Sequence, residues 1–248
     1  MKKTVDIFYK SYHKDFAFLK YSLMSVTKNV TGYNKIIILI PESDRENFDT
    51  DNLPERTEVI YVKEYGNGYL MQQLFKMKAW QYCPSDFILF SDSDCIFNRK
   101  IDLQEVVKNG KPEILYTDYE DVGAAICWRE PTEKFMGEEV EFEFMRRNFL
   151  IYHSSTLEKI SQAHPDLESE IMGGVRFSEF NAIGAWAFKN EKDKYNFVNT
   201  AKWEYTHPLG EQLWGWADKN DKSEIHQNEY ARSLKIINET FDLKLTEI

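Results

Sequence analysis

Cysteine is scarce in this chain, with only Cys83, Cys95 and Cys127 among 248 residues. Three thiols so widely spaced exclude a disulfide framework or a zinc cluster, and they fit a reducing compartment. Basic charge is also short. Lys and Arg number 31 against 41 Asp and Glu, a formal net charge of −10, whereas a broad nucleic-acid footprint needs a basic face. A local basic groove stays open, because a sum conceals asymmetry. No apolar run approaches the roughly 18 residues that cross a bilayer. The opening MKKTVDIFYK holds too few apolar residues for a secretory leader. The expectation is a soluble, cytoplasmic protein. Several motifs are missing too: the Gly-x-x-x-x-Gly-Lys-Ser/Thr loop, Gly-x-Gly-x-x-Gly after the first strand, His-Glu-x-x-His and Gly-x-Ser-x-Gly. P-loop kinases, dinucleotide dehydrogenases, zinc proteases and esterases drop out with them.

Aromatic residues are plentiful: 17 Phe, 14 Tyr and 6 Trp, or 15%. Most belong in a core, although Tyr and Trp also suit stacking on sugars and bases. Repeats, low-complexity tracts and Gly/Ser linkers are absent, and the length suits one α/β domain. Strand and helix patterns alternate through the first third. Residues 4–9 read as a strand, and 14–29 as a helix with Phe16, Leu19, Leu23 and Val26 on one face. The branched run 35–41 reads as a strand covered on both sides. Then come a strand at 57–62, a helix at 69–82 and a strand at 87–90. The second half is less regular, with strands predicted at 113–117, 124–128 and 148–152 and helices at 155–162, 178–189 and 228–240. This order predicts a Rossmann-like, mostly parallel twisted sheet flanked by helices. Ligands of such sheets bind beyond the carboxyl ends of the strands.

Two aspartates stand at one such end. In FILFSDSDCIF, residues 87–97, Asp92 and Asp94 interrupt an apolar run. Buried carboxylates are costly without a partner. In an extended segment positions i and i+2 project to one side, about 6–7 Å apart. Mg²⁺ or Mn²⁺ takes oxygen ligands and often only one or two protein carboxylates, with phosphates and water completing the shell. The pair therefore suits a metal–diphosphate complex. A surface turn capping the next helix is the plainer alternative.

With SDSDCIF in place, the chain resembles the GT-A fold glycosyltransferases, which use nucleotide-diphosphate sugars. GYLMQQLFKMKAWQY (68–82) resembles a Gln-Gln…Lys helix of bacterial and phage members, and RFSEFNAIGAWAF (176–188) their acceptor-side segment. The likeness covers roughly residues 4–215, with 1–100 as the nucleotide-sugar half and 101–248 as the acceptor half; the last thirty residues match nothing. The resemblance implies Mn²⁺ or Mg²⁺ and a donor such as a UDP-sugar. It implies Asp94 as the main metal ligand and Asp92 as a contact through water or ribose. Tyr12 and Asp15 would lie near the nucleobase and ribose, and Gln72, Gln73 and Lys76 would face the donor. Glu179 would approach the sugar or deprotonate an acceptor hydroxyl. A late histidine, His207 or His226, would join the metal. Each has a plainer alternative: a helix N-terminal acid for Asp15, an exposed helix face for Gln72, Gln73 and Lys76, a first-turn charge beside the Ser178 cap for Glu179, and surface or capping roles for both histidines. Gly173 and Gly174 allow a close ligand approach or a simple turn.

The implied acceptor is a saccharide or glycoconjugate, with a hydroxymethylated base in phage DNA as a second possibility. Arg129, Lys134, Arg146, Arg147 and Arg176 would line a groove for the latter. Two rival readings differ in class. A haloacid-dehalogenase-like phosphatase also has Asp-x-Asp, but after its first strand, and needs a second acidic element that DYEDVG (118–123) imitates poorly. A non-enzymatic sugar- or nucleotide-binding module is the other.

Overall fold

In the computed structural model, residues 3–146, 148–200, 209–214 and 223–248 are described. The branched run IIILIP forms β3 (Ile36–Pro41), buried at all six positions. β1 (Val5–Lys10) precedes it and is equally buried. Between them run α1 (Phe16–Asn29) and the two-residue β2 (Val30–Thr31). β4 (Thr57–Val62), α2 (Gly68–Met77) and β5 (Phe87–Phe90) follow. β1 pairs parallel with β3 on one side and β5 on the other, and β3 pairs parallel with β4. The later β10 (Ile151–His153) closes the other edge antiparallel to β5, giving the order β10-β5-β1-β3-β4.

The two faces of this sheet are chosen by strand alternation. Val5, Ile7 and Tyr9 of β1 meet Leu19, Leu23 and Val26 of α1 on one face. Phe8, Ile37, Leu39, Ile88 and Phe90 meet Leu70, Met71 and Leu74 of α2 on the other. Each fully buried Leu, Ile or Phe stabilises by about 1.5–3 kcal/mol relative to exposure, so a one-residue register slip in β1 would forfeit several such terms.

The remaining elements build around one end. β6 (Cys95–Ile96) and β7 (Ile101–Asp102) follow β5, then α3 (Leu103–Val106) and β8 (Glu113–Asp118). β7 pairs with β2. α4 (Arg129–Met136), β9 (Phe142–Glu143), α5 (Ser154–Ala163), α6 (Leu167–Met172) and α7 (Glu179–Asn190) come next. β8 lies between β9 and β11 (Asn196–Asn199). β12 (Glu211–Gln212) pairs antiparallel with β6, and α8 (Glu224–Phe241) follows.

The predicted strand at 124–128 does not form. Gly123–Trp128 is a 3₁₀ helix that begins on Gly123 at φ 54°, and Ile126 is 47% exposed. Apolar composition there signals surface rather than a ladder, because β9 takes the neighbouring edge of β8. The predicted strand at 148–152 starts only at Ile151, after Phe149 at φ 60°. The charged sequence REPTEKFM hid α4, whose Pro131 sits in the first turn where its missing N–H is harmless.

Candidate active site

The chain winds outward from β1 through β3 to β4, and α2 then returns it to the opposite side of β1, into β5. Between the carboxyl ends of β1 and β5 the winding direction reverses. In an open parallel sheet this switch point leaves a crevice, since the two outgoing loops turn apart. The two loops here are KSYHKDF after β1 and SDSD after β5. A hydrogen bond from Ser93 Oγ to Ser11 Oγ, 2.8 Å, ties them at their base.

The aspartates are not in an extended strand. The backbone N–H of Cys95 donates to Asp92 O at 3.0 Å, closing a turn over Asp92–Cys95. Extension would hold the side chains 6–7 Å apart. The turn instead brings one ligand atom each of Asp92, Asp94 and Cys95 within 4.8 Å of one another. Ser91 and Ser93 are buried, while Asp92 and Asp94 stay half-exposed toward the crevice. Cys95 is the member sequence reasoning missed. Burial, then the Asp94 and Asp92 charges, push its thiol well up. Its Sγ lies 3.8 Å from Asp94 Oδ1 as a weak donor.

α2 supplies the positive charge. Asn67 caps it, its side chain accepting from the backbone N–H of Tyr69 at 2.9 Å. Positions 73 and 76 lie three apart on one face, and both turn inward: Gln73 is 6% and Lys76 3% exposed. The exposed-face alternative therefore fails for these two, and only Gln72 is half-buried. Lys76 Nζ lies 2.7 Å from Asp92 Oδ1 and 2.7 Å from Glu179 Oε1. The contact to Asp92 is ionic and poorly angled, since that buried oxygen takes no hydrogen bond. Gln73 Oε1 accepts the backbone N–H of Glu179 at 3.1 Å. Burial would lower the Lys76 ammonium, but Asp92 and Glu179 outweigh it and hold it charged. Burial raises Glu179 despite Lys76.

Lys76 is thus engaged by two carboxylates rather than open to a phosphate. Gln73 is spent on the first turn of α7, and Glu179 is sealed at 3% exposure. Ser178 does cap α7, accepting from Asn181 N–H at 3.4 Å. Asp15 does not cap α1 with its side chain. Burial first, and then the charges of Asp94 and Asp92, raise its carboxyl to about 6. Asp15 therefore faces the same crevice. Tyr12, on the same loop, is 40% exposed. Nearby, Lys10 is buried with Glu64 at 2.6 Å, and burial lowers its ammonium. His13 N–H donates to Asp44 Oδ2 at 2.9 Å.

β12 covers the turn from above. Leu213 N–H donates to Asp94 O at 2.6 Å, and Gln212 Nε2 lies 3.4 Å from both Asp94 carboxylate oxygens. Arg232 of α8 donates to Gln212 O at 3.0 Å and pairs with Glu211. His226 sits in the first turn of α8, its backbone N–H donating to the Ser223 cap, and it is not in the acidic group. His207 lies outside the described residues, as does Arg147. Arg146 is buried against Glu143, and Arg129 pairs with Glu133 at 2.8 Å while lining a separate cavity with Met136, Phe142 and Phe188. Lys134 and Arg176 do line a cleft of about 730 Å³ with Phe135, Gly173, Gly174 and Phe177. Among the described residues, neither Asp118 nor Asp121 joins the acidic group, so the phosphatase reading lacks its second element. No described helix is long and apolar enough to cross a membrane.

Residues 6–141 match the family of unknown function DUF6492, just over half of the chain, a span that takes in Lys76, Asp92 and Asp94 and stops short of Glu179. No curated protein matches the chain.

Proposed function

The chain belongs to the family of unknown function DUF6492, so its chemistry has to be drawn from the site, and we propose that it is a metal-dependent glycosyltransferase of the GT-A fold. The reaction moves a sugar from a nucleotide-diphosphate sugar, a UDP-sugar first, to an acceptor hydroxyl. One observation carries this reading: an Asp-x-Asp turn at the switch point of a parallel sheet, with a buried Asp92 oxygen that lacks a hydrogen bond.

The residues fit a hard divalent cation. Asp15, Asp92 and Asp94 gather at the crevice, where the Asp94 and Asp92 charges help to raise the Asp15 carboxyl; among the described residues, Lys76 meets Asp92 and Lys10 lies near Asp15. The oxygen donors of Asp92 and Asp94 favour Mn²⁺ or Mg²⁺ over thiophilic metals. Asp92 and Asp94 would hold the ion. When bound, it supplies electrostatic stabilisation of the leaving nucleotide diphosphate. The remaining groups bind and orient. Tyr12, exposed beside the crevice, offers a stacking face to the nucleobase, and Asp15 an acceptor for a ribose hydroxyl. The cleft beside Phe177 lies just before α7 and suits the acceptor. A saccharide is favoured over modified DNA, because Arg129 and Arg146 are already paired with carboxylates.

Thermal unfolding in Mn²⁺ with a panel of nucleotide sugars tests the reading. One donor should raise the midpoint only with metal, since a ligand at about 100 times its Kd contributes roughly 2.7 kcal/mol. Slow donor hydrolysis should accompany the shift. Equal midpoints across the panel with and without Mn²⁺, and no turnover, would count against it.

A further inference from the structure

Glu179 is the carboxylate that the resemblance offers as base for a glycosyl transfer, and its surroundings argue otherwise. A general base must come within about 2.6–3.2 Å of the proton it removes. The Glu179 side chain is 4% exposed and its Oε1 is taken by Lys76 at 2.7 Å. Its backbone N–H is held by Gln73, and the Lys76 ammonium also lies 4.7 Å from the Phe180 ring. With the side chain this buried and Oε1 held by Lys76, the carboxylate is placed to hold the ammonium rather than to reach an acceptor hydroxyl. What the arrangement presents is a charge sequence: Glu179, Lys76, Asp92, in contact order.

We propose that Glu179 is a positioning residue that tethers the Lys76 ammonium and so keeps Asp92 available to a divalent cation. The inference rests on the metal reading above. Lys76 and a cation compete for the same carboxylate. Each ion pair of this kind is strong at low dielectric, and two like charges near one oxygen repel. With Glu179 ionised, the ammonium is shared between two carboxylates, and its hold on Asp92 is weakened. With Glu179 neutral, the ammonium has Asp92 alone and neutralises it. Removing Lys76 has the opposite effect, because the half-exposed Asp92 and the buried Glu179 then both lose the ammonium that they share.

This gives effects of opposite sign for two side chains in direct contact. Mn²⁺ binding to the full chain, followed by water-proton relaxation without donor or acceptor, reads it. Glu179→Gln should weaken Mn²⁺ by on the order of tenfold, the size expected from losing one nearby charge at intermediate dielectric. Lys76→Met should tighten it by a similar factor. The double variant Lys76→Met with Glu179→Gln should return close to the parent, and because it removes an ion pair whole it also serves if a single variant fails to fold. A base would behave differently: Glu179→Gln would leave Mn²⁺ affinity unchanged and would remove the acidic limb of the pH–rate profile. That result, or a Lys76→Met variant with parental or weaker affinity, overturns the proposal. A parent chain that binds no Mn²⁺ overturns this inference together with the metal reading, whereas parental binding with an indifferent Glu179→Gln removes this inference alone.

Discussion

At the scale of single residues, the site is a matter of charge count in a crevice. Asp94 has its backbone carbonyl fixed by Leu213 and its carboxylate beside Gln212, and these contacts orient its side chain. Asp94→Asn is isosteric and removes only charge. It should cut turnover by two or more orders of magnitude while shifting the unfolding midpoint little, as measured by donor hydrolysis beside a melting curve. Lys76 is the reverse case. Stripping one partner from a buried ion cluster leaves uncompensated charge, at a cost of about 3–5 kcal/mol. Lys76→Met should therefore unfold at a clearly lower denaturant midpoint in chelator, and Mn²⁺ should recover part of the difference. Recovery of nothing would mean that the ammonium, and no cation, is what Asp92 and Glu179 require.

At the scale of elements, two contacts decide how α7 sits. Gly184 in its middle faces Phe144, and a Cβ there would fall 2.3 Å from Phe144 Cβ. In a solvent-facing helix Gly→Ala gains up to about 1 kcal/mol. Here overpacking of about 1–3 kcal/mol wins, so Gly184→Ala should be net destabilising in urea unfolding. The far end of α7 is pinned by Glu191, which binds Lys159 and Thr156 of α5 and Lys194. Burial alone would raise the Glu191 carboxyl, but the hydrogen bonds from Lys159, Lys194 and Thr156 outweigh it and leave it lowered. The sign follows from that direction. A carboxyl held below its unfolded value stabilises above the ordinary Glu range, near 4.3, and the contribution fades as pH falls through and below it. Glu191→Gln should lose about 1–3 kcal/mol at neutral pH and show a shallower acid limb of stability than the parent. Parallel curves for the two would disprove the role.

At the scale of the molecule, β1, β3 and β5 are covered on both faces and their ladders have no solvent edge. Their amides should exchange last, near the global unfolding free energy, while those of the short β12 exchange earlier. Early exchange of β1 would mean that the sheet is not the cooperative centre. β12 joins the body mainly through β6 and Asp94, and through Arg232 of α8, so the cover over the acidic turn is the less stable part of the site.

The local patterns settled a good deal without any structure. Branched runs such as IIILIP read as strands covered on both faces, and FILF before SDSD places two carboxylates at a strand end. The β-α-β order of the first third then leaves a parallel sheet as the economical solution, because each crossover helix must cover a face. Local pattern failed where burial was not its cause, as at 124–128, apolar and yet exposed. It also could not show that a turn would draw Asp92 and Asp94 together. Nor could it show that Lys76, 16 residues before Asp92, would meet Glu179, 103 positions away. Those contacts exist because α2 and α7 pack on the same sheet face beside the switch point. Which charges share a crevice depends on that packing, and sequence spacing carries no term for it.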